Sequence, residues 1–192
     1  MAWHRYPSVV KPTPMILIGL RAAGKTTLGR ELAHGLQVEF QDLDDLALDQ
    51  SGAGSVEEVF AQAGEPAWRH AERQAFALWQ ASSSGVLACG GGAPCVPEIR
   101  TSMQSSRACV VYLHAGVDAL VARRARQDRD RPPLFGASGL REEVARAYAE
   151  RHSVFSDLAD HTVEVDGQEA QDTLAALMKI YKAECLDKPP AP

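Results

Sequence analysis

The sequence predicts an α/β fold in which a five-stranded parallel sheet is layered between helices as a three-layer sandwich, with one loop long enough to act as a lid. Three observations carry this expectation. Short apolar runs alternate with longer amphipathic stretches, the pattern of β-α units that feed a parallel sheet. A glycine-rich turn follows the first apolar run and leads straight into a helical stretch. Late in the chain, a polar segment carrying Pro132-Pro133 and no periodicity interrupts the alternation. With 192 residues, 45% of them hydrophobic, the chain can bury one good core and is short for two. A single domain over residues 15–185 is therefore expected, with residues 1–14 and 186–192 as tails without apolar periodicity.

Taken in order, the expected strands are Met15 to Gly19, Val38 to Gln41, Val86 to Cys89, Cys109 to Leu113 and Thr162 to Val165. The stretches Thr26 to His34, Ala67 to Gln80, Val117 to Arg126, Glu142 to Leu158 and Ala170 to Ala183 read as helices. Ser55-Val-Glu-Glu58 has capping-box spacing and Gly64 supplies a stop, so a short helix is expected over about residues 55–63. The lid candidate spans about residues 127–139.

The turn after the first strand reads Gly19-Leu-Arg-Ala-Ala-Gly24-Lys25-Thr26, which fits G-x-x-x-x-G-K-[ST] between a strand and a helix. Glycines let such a loop wrap phosphate oxygens, backbone N–H groups and the helix N-terminus face the anion, and the lysine reaches the β- and γ-phosphates. Gly19, Ala22, Ala23, Gly24, Lys25, Thr26 and Thr27 are thus the candidate nucleotide-binding residues, with the Thr26 hydroxyl available to Mg²⁺. The loop makes the chain a P-loop nucleotide-binding protein. It lacks the N-K-x-D segment of a GTPase and is short for a motor or helicase core, which leaves the small kinases.

Three further patterns bear on the acceptor. Asp42 and Asp44 follow the second strand, where alternation puts them on one side at the carboxyl end of the sheet. One can serve Mg²⁺ through water while the other accepts a proton from the attacking hydroxyl, although paired acids also serve as helix N-caps. Arg69 and Glu72 share a helix face, so Glu72 can steady the guanidinium for a bidentate grip on a carboxylate; an ordinary surface pair is the plainer account. The third strand runs into Gly90-Gly91-Gly92, which suggests backbone close to a ligand or a flexible bend.

The order Gly19-x4-Gly-Lys-Thr, Asp42-x-Asp44, Gly54-Ser55, Phe60-x3-Gly64-Glu65-x2-Trp68-Arg69-x2-Glu72, Gly90-Gly91-Gly92, Arg131-Pro132 and Arg151 resembles the shikimate kinases over about residues 15–180. The resemblance implies a nucleoside-monophosphate-kinase-like P-loop fold and phosphorylation of the 3-hydroxyl of shikimate by ATP and Mg²⁺, a step of aromatic amino-acid biosynthesis. It implies substrate-hydroxyl binding at Asp44, a Mg²⁺ role for Asp42 and Thr26, and carboxylate binding at Arg69 and Arg151. Glu72 and Gly90 to Gly92 are expected in the same pocket, Arg124 by the adenine, and Arg131 on the lid over the phosphates. Lys25, Asp44 and Arg131 form the expected catalytic set. Leu43, Trp68 and Phe155 depart from residues usual in the family, and the larger Trp68 can narrow the pocket or alter affinity. A gluconate-type kinase and a non-catalytic ligand sensor are the alternatives.

The formal net charge of −5 argues against a general nucleic-acid or membrane-surface role. The start MAWHRYPSVVKPTP has no apolar signal region, so a cytoplasmic, monomeric protein is expected, with small molecules as its partners. Arg123 to Arg131 is arginine-dense, but Asp128 and Asp130 offset it and no stacking aromatics interleave. The four cysteines show no Cys-x-x-Cys pair and read as reduced thiols, and the six histidines have no metal-ligand spacing.

Overall fold

Strand β1 (Met15–Ile18) is buried at every position, as a strand covered by helices on both faces must be. It is the centre of the sheet in the computed structural model, which describes residues 12–82, 85–127 and 139–186. The other strands are β2 (Phe40–Asp42), β3 (Val86–Ala88), β4 (Cys109–His114) and β5 (His161–Glu164). Their order is β2-β3-β1-β4-β5, and all four pairings are parallel, with Met15 in register with both Val86 and Cys109. The chain leaves β1 towards one edge and later crosses to the other. That reversal opens a crevice at the carboxyl ends of the central strands, where ligands of such sheets bind.

Helix α1 (Lys25–Leu36) follows β1 directly and buries Leu28, Leu32 and Ala33. A Cβ on its Gly29 would lie 2.7 Å from the Phe40 ring, so the glycine lets α1 sit close to the sheet. Gln37, left-handed at φ 56, ends the helix and returns its N–H to the Ala33 and His34 carbonyls. Helix α1 packs against β1, β2, β3 and α7 (Ala170–Tyr181), while α6 (Leu140–Leu158) packs against β4 and α4 (Pro97–Ser105). Helix α5 (Val117–Gln127) lies along α6. No described helix is long and apolar enough to cross a membrane. The four cysteines are free thiols.

All five expected strands are present, with ends shifted by one or two residues, and several helical details differ. Strand β2 stops at Asp42, and Leu43–Ser51 forms helix α2, which the pattern did not announce. Asp44 therefore lies in the first turn of a helix, and strand alternation is not what pairs it with Asp42. The N-cap reading of the acidic pair is the correct local account: Asp42 caps α2 by accepting the Asp44 N–H at 3.1 Å. Helix α4 was also unannounced, because only Ile99 and Met103 of its nine residues are buried. The short helix and the next one join as α3 (Val56–Ser82), broken at Gly64, whose φ of 73° and ψ of 179° leave the helical region. Ser55 accepts the Glu58 N–H at 3.1 Å as the capping box predicts, while the Glu58 carboxylate reaches Gly54 N–H at 2.8 Å. Helix α7 ends at Tyr181 and passes into a π turn over Lys182–Leu186. Thr13 N–H donates to the Cys185 carbonyl at 3.0 Å, which ties the segment before β1 to the π turn.

Candidate active site

The phosphate loop is a backbone structure. Gly19, Ala22 and Gly24 all have positive φ, at 148°, 68° and 99°. A Cβ at Gly19 would lie 2.7 Å from the Leu113 carbonyl oxygen, so this position admits only glycine without movement of the main chain. The loop turns back on itself and delivers Lys25 to the start of α1, 9% exposed, with Nζ donating to the carbonyls of Gly19 at 3.0 Å and Leu20 at 2.9 Å. Burial holds the Lys25 ammonium below its ordinary pKa, against the pull of Asp44 and Asp42. Thr26 Oγ1 donates to Asp42 Oδ2 at 2.7 Å, which joins the first turn of α1 to the end of β2.

A cleft of about 480 Å³ opens over this loop, lined by Gly24, Lys25, Thr26, Asp42, Asp44 and Gly90 among others. Thr27 and Ala22 also line it, whereas Ala23 is buried in the core beneath. Asp44 stands on the cleft wall, exposed to water. Partial desolvation of its carboxyl, then the charges of Asp42 and Glu72, push it up to about 6, with Lys25 acting in the opposite direction. A Cβ at Gly90 would lie 2.3 Å from Asp44 Oδ1, so the missing side chain is the space the carboxylate occupies. Cys89, buried beside this group, has its thiol pushed well up by burial, which leaves it a packed, unreactive side chain.

Arg69 forms the second half of the site. Its Nη1 donates to Glu72 Oε2 at 2.7 Å, and its Nε and Nη2 donate to Glu65 Oε1 at 3.1 and 2.8 Å. Glu72 is only 1% exposed, so it depends on Arg69 to be tolerated as an anion. Burial raises the Glu72 carboxyl, while hydrogen bonding from Arg69 and the Trp68 indole favours the charge. Trp68 is therefore packed into the wall and turned towards Glu72, rather than projecting across the cleft. A Cβ at Gly92 would lie 2.8 Å from both Nη1 and Nη2 of Arg69. Arg151, from α6, donates to the Gly91 carbonyl at 3.3 Å and shares a cleft of about 430 Å³ with Arg69. The glycine triplet is thus touched by all three groups: Asp44 at Gly90, Arg151 at Gly91 and Arg69 at Gly92.

The structure brings Lys25, Thr26, Asp42, Asp44, Arg69, Glu72, Arg151 and the three glycines to one end of the sheet. Arg124 sits farther round, 8% exposed, ion-paired with Glu143 at 2.8 Å on a third cleft that also includes Leu20 and Arg21. Arg131 and residues 128–138 of the expected lid lie outside the described residues. Two residues not expected as site residues also belong here. Glu65 holds Arg69, and Cys95 lies in the Arg69–Arg151 cleft. Glu65 precedes Arg69 by one helical turn, which was the available signal; Cys95 follows a proline in a short 3₁₀ turn and gave none.

The donor set suits Mg²⁺, since Thr26 and Asp42 offer hard oxygens 2.7 Å apart at the edge of the phosphate loop. Among the described residues no group of three or more histidine, cysteine, aspartate or glutamate side chains gathers to hold a metal.

Comparison with known proteins agrees with the geometry. The family model described as shikimate kinase matches residues 21–182. The chain is similar to a shikimate kinase of Stenotrophomonas maltophilia, 37% identical over 171 residues, covering 88% of this chain and 92% of that one. It is 37% identical over 157 residues to a shikimate kinase of Shewanella woodyi, covering 82% and 90%. Its fold superposes on the solved shikimate kinase from Acinetobacter baumannii in complex with shikimate with a TM-score of 0.79, at 27% identity, covering 91% and 96% of the two chains. For the solved shikimate kinase from Bacteroides thetaiotaomicron the TM-score is 0.78, at 26% identity, covering 89% and 99%.

Proposed function

The chain belongs to the shikimate kinase family, and from that premise we propose how its own residues divide the work. The reaction is the ATP- and Mg²⁺-dependent phosphorylation of the 3-hydroxyl of shikimate, a step towards the aromatic amino acids. The observation that carries the assignment of roles is the glycine triplet, which sets a carboxylate near the phosphate loop and two arginines farther along the same wall.

Arg69 and Arg151 hold the shikimate carboxylate, with Glu72 fixing the Arg69 fork from beneath. This orients the acceptor so that its hydroxyls face Asp44. Asp44, ionised above pH about 6, takes the proton of the 3-hydroxyl as that oxygen bonds to the γ-phosphorus and the bond to the ADP oxygen breaks. Lys25 leaves its carbonyl partners for the phosphate oxygens and neutralises charge that spreads over them in the transition state. Thr26 and Asp42 would hold Mg²⁺, which would supply further charge neutralisation on the phosphates when bound. Gly19, Ala22, Gly24 and Thr27 shape the loop around the nucleotide phosphates, with Ala23 packed beneath. Arg124 borders the adenine and Arg131 closes over the phosphates, both on the strength of the family resemblance. Residues 15–185 work as one unit in the cytoplasm.

The test is ADP release by the purified chain with Mg-ATP and shikimate, quinate, gluconate or no acceptor. Selective stimulation by shikimate is expected. Stimulation by gluconate alone would keep the kinase and discard the acceptor; binding of shikimate without ADP release would mark a sensor.

A further inference from the structure

The contacts of Arg69 are more complete than a carboxylate-binding arginine should show. Its Nη1 is engaged by the buried Glu72, at 2.7 Å. The space beside Nη1 and Nη2 together is where a Cβ on Gly92 would stand, so that edge lies against the Gly92 backbone. The remaining edge, Nε and Nη2, is the one suited to a bidentate partner. It is occupied by Glu65 Oε1. Glu65 is 61% exposed and lines the same cleft as Arg151 and Arg73. It also directly follows the break in α3 at Gly64 and precedes Pro66, so it begins a helical section and no regular turn precedes it.

We propose that Glu65 is an internal occupant of the Arg69 fork, displaced by the acceptor's carboxylate, and that it thereby sets the affinity and selectivity of the site for carboxylated acceptors. The proposal rests on the reading of Arg69 as the carboxylate-binding residue. Exchange of one carboxylate for another leaves the charge around Arg69 and its buried partner Glu72 balanced throughout binding, and Glu72 is never left unpaired. A neutral acceptor cannot repay the loss of the Glu65 contact, so it is disfavoured. Because Glu65 is exposed, releasing it costs little, and the exchange is an affinity setting rather than a lock.

An ordinary supporting role for Glu65 would have the opposite sign. Calorimetric titration of shikimate into the full chain without nucleotide is expected to show binding about 3- to 10-fold tighter in Glu65→Gln than in wild type. In turnover, the shikimate KM falls with it while the ATP KM stays unchanged. Glu65→Ala checks the result if the glutamine variant folds poorly. Arg69→Lys, which keeps the charge opposite Glu72 and loses the fork, separates the role of Arg69 from that of Glu65. If wild type and Arg69→Lys bind shikimate equally, or wild type does not bind it, the role given to Arg69 fails and this inference with it. If Arg69→Lys weakens binding but both Glu65 variants bind no more tightly than wild type, the inference alone is overturned.

Discussion

The two halves of the site are built on different principles. The phosphate side is one contiguous turn whose working surface is main chain: positive φ at Gly19, Ala22 and Gly24 aims N–H groups and α1, and the turn delivers Lys25 as its buried cation beside the exposed Arg21. The acceptor side is assembled from side chains on three separate segments, the β2–α2 corner, α3 and α6, set around the Gly90–Gly92 turn. Its glycines matter for the space they leave, since Asp44 and Arg69 fill what would be the side-chain volumes of Gly90 and Gly92. A backbone site fails when the main chain is strained. A side-chain site fails when one group is displaced by a fraction of its length, even if the fold is untouched.

The largest expected effect tests the phosphate half. Lys25→Ala removes the buried cation that the loop places in the cleft, and turnover should fall by about 10²- to 10³-fold. Because Lys25 is a buried cation held below its ordinary pKa, its loss should cost little in folding, and the melting temperature should hold or rise. A steady-state assay beside a thermal melt reads both. Full turnover in this variant would show that the transferring phosphoryl group sits elsewhere.

A smaller effect distinguishes the two kinds of glycine. In Gly92→Ala the new methyl meets the far end of the Arg69 side chain, which can move aside, so stability should survive while the carboxylate grip does not. The shikimate KM should rise about 10-fold, within the usual cost of overpacking a filled site, with the ATP KM unchanged. Gly85→Ala is the contrasting control, because its Cβ would stand 2.1 Å from the Glu39 carbonyl oxygen, and main chain must then shift. That variant should lower the melting temperature at nearly constant KM. If Gly92→Ala behaves like Gly85→Ala, the triplet is structural and the two halves of the site do not differ in this way.

The same contrast explains what was legible in the sequence. The phosphate loop could be read whole, since its function is local and its residues are consecutive. The three central strands were legible as apolar runs, whereas the edge strands β2 and β5 carry polar residues as well. Helix α2 was not, because Leu43, Asp44 and Asp45 look like the continuation of a strand corner until Asp42 is seen to cap a helical turn. Asp42 and Asp44 nonetheless come together, for an N-cap and the residue two places on lie around one turn, much as alternate strand residues lie on one face. What no local pattern shows is occupancy of space: that Gly90 makes room for Asp44 and Gly92 for Arg69 depends on where α2 and α3 pack. The family resemblance supplied those residues, and the packing supplies their reason.

The smallest expected effect concerns the cost of the acceptor half to the fold. Asp44 titrates near 6 in the folded chain and near its ordinary value when unfolded. A carboxyl raised in this way favours the folded state fully below its unfolded pKa, and that contribution is lost as pH rises from about 4 through about 6. Above that range the ionised group sits beside Asp42 and Glu72, so the fold carries the penalty at the pH where the enzyme works. Asp44→Asn removes the titration. The melting temperature of the variant relative to wild type should therefore increase with pH between 4 and 7 and level off above. Since the side chain meets water in the cleft, the gain should be on the order of 1 kcal/mol, about 2–4 °C for a chain of this size. Turnover should fall steeply in the same protein, and in wild type the acid limb of kcat/KM for shikimate should lie near pH 6, rising as Asp44 ionises. A variant that loses turnover without a pH-dependent gain in melting temperature would mean that the charge beside Lys25 is accommodated without cost. The acceptor half would then be as well adapted to the fold as the phosphate loop.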